Sequence, residues 1–485
     1  MKPKNIILNH AFTGRFSERK SLKCVIQENE ASIVILYGRR RVGKTELLEQ
    51  TFRNRNILKF EGIEGKSESW QIKNVMRQLA IYAEEPILAE VHCTTWSDVF
   101  RYIHKYTSEG TWTIYFEELQ WLANYNDSFI SELKSAWDNQ FRHNANLILI
   151  LCGSSPSFMI NHVVLSKSLY NRSQHEMHLK EFNLIDTHQF LSHYPLKDIM
   201  DAYLTVGGIP EYLKKITKKS SLLLGILDNS FAPDGFFTNE YQKIFLSSLN
   251  NNPNYKKIIE LLSKKRFFSR EEIIKHINSS SGGRMTVMLD DLVACGFIDR
   301  YSAFNTTEDS KLVRYCISDA YLQFYFKFIK PKLKDIQSGR YAGSLTQALN
   351  RDTYAKWLGF SFERFCRRYA HVISKILGFS SVNYRSGAFF NRSIQSKNPG
   401  YQIDLVFDRD DNVITICEIK YLQTKVSSTI IEEVERKIQL FPKPKRKIIQ
   451  RVLITTEGVN EALAAHAYFD NIITLDDLFD PHYWK

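Results

Sequence analysis

Cysteine is sparse in this chain of 485 residues, and the seven present are scattered without a C-x-x-C pair. That spacing argues against a structural zinc site and a disulfide framework, and it fits a reducing, cytoplasmic setting. Long hydrophobic runs are missing as well. The longest, Leu147 to Cys152, has the length of a strand and falls far short of a membrane span. The start, Met1-Lys2-Pro3-Lys4-Asn5-Ile6-Ile7-Leu8, is basic, but its apolar run is too short for a signal peptide. The thirteen histidines include no H-E-x-x-H pair, and no G-x-S-x-G elbow occurs. Those absences exclude the zincin and α/β-hydrolase nucleophile patterns. Internal repeats and low-complexity segments are also lacking. What is there reads as globular, with 44% hydrophobic and 13% aromatic residues. The length suits roughly three to four domains. A formal net charge of +12 permits a polyanionic partner such as DNA or RNA.

One stretch carries most of the information. Ser32 to Tyr37 reads as a buried strand that runs into Gly38-Arg39-Arg40-Arg41-Val42-Gly43-Lys44-Thr45, the pattern G-x-x-x-x-G-K-T, and then into a helix-like segment. Gly38 and Gly43 permit the tight turn that points successive N–H groups at an anion, and the helix adds its positive end. Lys44 is expected to reach the outer phosphates of ATP or GTP, and the Thr45 hydroxyl to complete a Mg²⁺ shell. Hydrolysis needs carboxylates too. Thr113-Ile114-Tyr115-Phe116-Glu117-Glu118 supplies an apolar strand that ends in two of them. Glu117 would hold Mg²⁺ through water and Glu118 would polarise the attacking water. Two solvated glutamates after a core strand are the alternative. The strand Leu147–Cys152 ends in Gly153-Ser154-Ser155, where a polar side chain would sense the terminal phosphate or simply form a turn.

The rest of the chain divides by rhythm. Alternating strands and helices from residue 33 to about 190 predict a parallel sheet with crossover helices. Helical spacing follows to residue 250, broken at Gly207-Gly208-Ile209-Pro210. Three helical segments then come at Tyr255–Ser263, Arg270–Ile277 and Arg284–Cys295, with a turn at Ser279–Gly283 and two short strands after Gly296. Three helices and a β-hairpin predict a winged helix, with Arg284 and Thr286 opening a would-be recognition helix.

Phe12-Thr13-Gly14-Arg15 with Glu18 and Leu22, the Gly38–Thr45 loop, Glu117–Leu122, Gly153–Ser155, Leu169–Arg172 and Gly207–Leu213 occur in one order. Together they make the chain resemble the archaeal-type P-loop ATPase family, related to the AAA+ and STAND ATPases. The resemblance implies an ATP-binding core that includes Arg15, a helical lid, a winged helix behind it, and Arg172 touching the γ-phosphate in cis or across subunits. Two residues depart from the family pattern: Glu117 stands where Asp is usual and Asn171 where Gly is usual. A longer carboxylate arm displaces the metal, so binding is expected to outlast fast turnover.

A second chemistry lies downstream. Tyr401–Phe407 and Val413–Tyr421 read as a hairpin around an Asp408–Asn412 turn. Alternation on a strand puts Glu418 and Lys420 on one face, and the hairpin brings Asp404 beside them. Such a carboxylate pair suits a hard Mg²⁺ ion, while Lys420 would orient the nucleophilic water or offset charge on a scissile phosphate. This D-x(n)-E-x-K order resembles the PD-(D/E)xK restriction-endonuclease-like superfamily. That resemblance implies a further carboxylate from an upstream helix, for which Glu363 in Phe360–Phe365 is the candidate. The runs Lys264-Lys265-Arg266 and Lys443-Pro444-Lys445-Arg446-Lys447 are phosphate-binding candidates or solvated faces.

The expected fold class is therefore multidomain α/β. It comprises a P-loop ATPase core at 1–190, a helical lid at 191–250, a winged helix with its connecting helix at 251–345, and a restriction-endonuclease-like α/β domain at 346–485. The expected function is an ATP-controlled, Mg²⁺-dependent DNA nuclease, and by analogy one that defends against foreign DNA. A nucleotide-dependent DNA-binding regulator whose nuclease-like domain does not cleave is the alternative. ATP and Mg²⁺ are the expected cofactors. No membrane partner is expected, and homo-oligomerisation is compatible with the family.

Overall fold

The computed structural model describes residues 6–249, 252–277, 282–302, 304, 313–391, 400–442 and 446–484. Residues 279–281 of the expected turn and 443–445 of the second basic run lie outside them. Three sheets organise the described residues. The first holds β1 (Ser32–Tyr37), β2 (Asn56–Glu61), β3 (Trp112–Glu117), β4 (Leu147–Gly153) and β5 (Ser173–His178) in the order β2-β3-β4-β1-β5. Every pairing in it is parallel.

Period-two alternation splits these strands between two cores. Val34, Leu36, Ile148 and Ile150 face the Lys44–Phe52 helix, while Ile33, Ile35, Leu149 and Leu151 face the helices Glu68–Ala83, Trp96–Thr107 and Ser128–Asn139. The second core is aromatic: Phe100 lies within 6.3 Å of the ring centroids of Trp96, Phe116, Phe129 and Phe141. Truncating such a buried ring costs about 3–5 kcal/mol.

Five helices between Leu184 and Ser248 follow. Their break falls where the sequence places it. Gly207 has φ +75°, a side chain on Gly208 would lie 2.0 Å from the Phe182 carbonyl, and Pro210 opens the next helix. The helices Pro253–Leu262, Arg270–Ile277 and Gly282–Ala294 come next, with a small antiparallel sheet of β6 (Phe268–Ser269), β7 (Ile298–Ser302) and β8 (Val313–Ile317). The third of these helices begins two residues before the expected Arg284, and β6 adds a strand to the expected hairpin.

The last sheet, in the order β13-β12-β11-β10-β9, is mixed. β9 (Tyr384–Asn391), β10 (Tyr401–Arg409) and β11 (Val413–Lys420) pair antiparallel, whereas β12 (Ile448–Thr455) and β13 (Asn471–Ile473) extend it in parallel from β11. The helices Arg351–Arg368 and Ile430–Leu440 lie against it, and Asn412 at φ 64° makes the hairpin turn. The Arg351–Arg368 helix and the Tyr369 that follows it dock on the Leu196–Val206 helix through paired hydroxyls, Tyr203 with Tyr369 at 2.7 Å and Thr205 with Tyr354 at 2.6 Å. Among the described residues no helix is long and apolar enough to cross a membrane.

Candidate phosphate-loop and carboxylate sites

Parallel strands deliver their C-terminal ends to one edge of the first sheet, and the loop Gly38–Thr45 sits there. A side chain on Gly38 would lie 2.2 Å from the Leu179 carbonyl, so the close approach requires glycine. Arg41 (φ 71°) and Gly43 (φ 90°) both adopt the left-handed region, which curls the backbone into a nest of N–H groups. Lys44 is buried and lies back over the loop, its Nζ donating to the Gly38 carbonyl at 2.7 Å and the Arg39 carbonyl at 3.1 Å. The Thr45 hydroxyl donates to Glu117 at the end of β3, and the Lys59 ammonium on β2 grips the same carboxylate. Burial opposes the Lys59 charge, but Glu117 outweighs it and holds this lysine above its ordinary range. Two hard oxygen donors, the Thr45 hydroxyl and the Glu117 carboxylate, fit a Mg²⁺ ion chemically.

Glu118 adopts φ 52° and receives three polar neighbours. The Ser154 hydroxyl donates to it, Gln120 Nε2 donates at 2.7 Å, and the exposed Arg40 lies 3.7 Å away over the Trp121 ring. Glu118, expected to orient water, is thus in direct contact with Ser154, one of the two serines expected to sense phosphate or form a turn.

The other arginines of this region engage protein groups. Arg15 braces the loop from outside by donating to the Val42 and Lys180 carbonyls at 2.9 and 2.7 Å, and burial lowers its pKa. Arg39 pairs with Asp319 at 2.5 Å and lies 3.9 Å from Glu181, and Arg41 pairs with Glu240 at 2.6 Å. Each has found a carboxylate on a later segment, because a buried guanidinium needs a counter-charge. Contact between Arg172 and the phosphate in cis is corrected by topology. Arg172 precedes β5, whose Ser173 registers with Ile33 at the start of β1, and the loop follows the other end of that strand. There Arg172 makes a two-pronged pair with Asp138 at 2.8 and 2.9 Å.

At the second site, the antiparallel register Leu405↔Cys417 sets Asp404 across from Glu418. Asp404 Oδ2 accepts the Ile419 N–H at 3.1 Å, and Gln402 Nε2 donates to both Asp404 and Glu363 at 3.1 Å. Lys420 lies 3.0 Å from Glu418. The hairpin and the Arg351–Arg368 helix therefore bring together Glu363, Asp404, Glu418 and Lys420. Burial, with Glu363 nearby, raises the Asp404 pKa, and burial with Asp404 nearby raises that of Glu418. A divalent cation would relieve this crowding, so the donor chemistry fits Mg²⁺. The present arrangement uses lysine for that purpose: Lys437 Nζ holds both Glu418 oxygens at 2.8 and 2.7 Å. Among the described residues no three His, Cys, Asp or Glu side chains are grouped as metal ligands.

Sequence reading missed Lys59, Gln120, Gln402 and Lys437. Lys437 was findable in principle, since it lies on the inward stripe of an amphipathic helix where lysine is unexpected.

Comparison with known proteins agrees with the first site. Residues 12–216 match a family model described as "ATPase domain predominantly from Archaea", and residues 325–434 match one described as "Archaea bacterial proteins of unknown function". The uncharacterized protein MJECL04 of Methanocaldococcus jannaschii is 26% identical over 419 residues, covering 85% of this chain and 88% of its own. Among solved structures, the Walker-type ATPase PABY2304 of Pyrococcus abyssi is 17% identical with a TM-score of 0.49, covering 67% of this chain and 99% of its own. The ORC2 protein of Aeropyrum pernix is 10% identical with a TM-score of 0.42, over 70% of this chain and 97% of its own. The segment 12–216, which carries the phosphate loop and the paired carboxylates, is thus similar to an ATPase domain found predominantly in Archaea.

Proposed function

We propose that the protein is an ATP-binding and ATP-hydrolysing, Mg²⁺-dependent DNA nuclease whose cleavage is gated by nucleotide. The observation that carries the second half of this reading is the convergence of Glu363, Asp404, Glu418 and Lys420 at one end of the β10–β11 hairpin. Domain by domain, it takes residues 251–345 as a winged helix and 346–485 as a restriction-endonuclease-like unit.

At the loop, Lys44 would leave the Gly38 and Arg39 carbonyls to meet the outer phosphates. Thr45 and Glu117 would hold Mg²⁺, and Glu118, fixed by Ser154 and Gln120, would orient the attacking water and accept its proton. At the hairpin, Asp404 and Glu418 would be the metal ligands. Lys420 would orient water toward the scissile phosphorus and offset the growing negative charge. Bound Mg²⁺ would supply charge neutralisation at both places.

Gating follows from what the loop arginines touch. Arg39 and Glu181 are linked, and Glu181 lies 3.3 Å from Arg368, on the helix that carries Glu363. Tyr421, next to Lys420, donates to Asp201 of the Leu196–Val206 helix at 2.5 Å. Displacement of Lys44 therefore acts on a loop already tied to the second site. Labelled DNA incubated with Mg²⁺ should be cut by the wild type and not by Asp404→Ala; equal cutting by both would refute the assignment.

A second reading has one observation in its favour. Because Lys437 occupies both oxygens of Glu418, a DNA-binding switch that never cleaves would leave this ion pair closed. ATP would then change DNA affinity with no scission in any lane.

A further inference from the structure

Three guanidinium groups gather where the small antiparallel sheet leans on the C-terminal site. Arg266 stands just before β6, and Arg364 and Arg367 lie on the helix that carries Glu363. Arg266 donates to Gln402 Oε1 at 3.4 Å, and Gln402 in turn touches Glu363 and Asp404. Arg367 donates to the Asp404 carbonyl at 3.1 Å and lies 3.5 Å from Glu363. Arg364 makes its hydrogen bond to a neutral partner, Ser361 Oγ at 2.8 Å. Burial first and Arg367 second push Arg364 down to about 10, against the opposing pull of Cys316 and Glu363, and Arg266 adds a smaller push. Crowding of like charges on forked donors is the arrangement that a bidentate oxyanion relieves.

Beside this cluster stand exposed rings. Phe360 is 46% exposed with Arg266 stacked 5.3 Å from its centroid, and Tyr301 on β7, 38% exposed, feels the charges of Arg314 and Arg367. Clustered guanidiniums beside partly exposed aromatic rings are the chemistry that binds unpaired nucleotides, since duplex bases already stack on one another.

We propose that Arg266, Arg364 and Arg367 form a cradle for a backbone phosphate of single-stranded nucleic acid, with a base stacked on Phe360, leading the strand past Gln402 to Asp404. The direction of the strand rests on the nuclease reading above; the binding does not. The ligand is a phosphodiester chain rather than an acidic peptide, because Phe360 offers its face to a flat ring.

The test is fluorescence anisotropy with the full chain, labelled oligo(dT) and an abasic strand of equal length, in EDTA so that nothing is cut. Arg266 and Phe360 are both exposed, so Arg266→Gln and Phe360→Ala are expected to fold. Arg266→Gln should weaken both strands and lower the slope of log affinity against log salt by about 0.7. Phe360→Ala should weaken oligo(dT) about tenfold and leave the abasic strand unchanged. An unchanged slope, an equal loss on both strands with Phe360→Ala, or competition by polyglutamate as effective as by oligo(dT) would overturn the cradle. A wild type that binds in this manner yet cuts nothing with Mg²⁺ refutes the nuclease reading and supports the cradle. Cleavage by a wild type whose variants bind normally refutes the cradle alone.

Discussion

Replacing Arg39 by Gln removes the guanidinium that ties the phosphate loop to the distal half of the chain. Asp319 is 3% exposed, and without Arg39 its carboxylate keeps the Leu322 N–H at 2.7 Å as a helix cap. Glu181 keeps Arg368. Breaking a buried pair by removing one partner costs about 3–5 kcal/mol. The surviving cap and the single donor of Gln argue for the lower end, about 3 kcal/mol, or roughly 6–12 °C in melting temperature for a domain of ordinary size. Burial opposes the Arg39 charge, yet Asp319 and Glu181 together raise its pKa, so the pair is net attractive. Asp319→Asn alone should cost a similar amount, and the double variant well under the sum. Urea and thermal unfolding followed by several probes would measure the cycle, since a multidomain chain need not unfold in two states. The variant should also cut DNA without regard to nucleotide. Additive single effects, with coupling below about 0.5 kcal/mol, would refute the reasoning.

Three further outcomes are expected. Asp404 and Glu418 have pKa values raised on folding, so their contribution is fully present below the unfolded values near about 4 and is lost as pH climbs through the folded ones. Wild-type melting temperature should therefore fall with pH just above the ordinary carboxylate range, and Asp404→Asn should flatten that fall and gain about 1 kcal/mol at neutral pH, read by calorimetry. Lys437→Met leaves Glu418, 1% exposed, with Lys420 as its one remaining cation among the described residues, so it should melt early without metal and recover far more than the wild type on adding Mg²⁺. Arg172→Ala should leave nucleotide affinity of the monomeric chain unchanged by titration calorimetry and cost about 0.5 kcal/mol through Asp138.

The apolar runs of β1, β3 and β4 were legible because buried parallel strands carry a continuous hydrophobic signal. β5, Ser-Gln-His-Glu-Met-His at the sheet edge, carries none and escaped notice. The hairpin at Asn412 and the break at Gly207–Pro210 were readable from turn chemistry alone. The ion pairs of Arg39 and Arg41 were not legible because their partners lie 280 and 199 residues away, and no local pattern encodes such a pair. The Glu418–Lys420 face followed from strand alternation. Lys437 arrives from a helix whose docking only the tertiary structure reveals. Its grip on Glu418 is the feature that most changes the chemistry expected of that site.

Scission of supercoiled plasmid by the full chain with Mg²⁺, with and without ATP, tests the central claim most directly when Lys44→Ala and Asp404→Ala run beside the wild type. The account predicts cutting that ATP alters in the wild type, that no longer responds to ATP in Lys44→Ala, and that vanishes in Asp404→Ala. Intact plasmid in every lane, or cutting that survives Asp404→Ala, would contradict it.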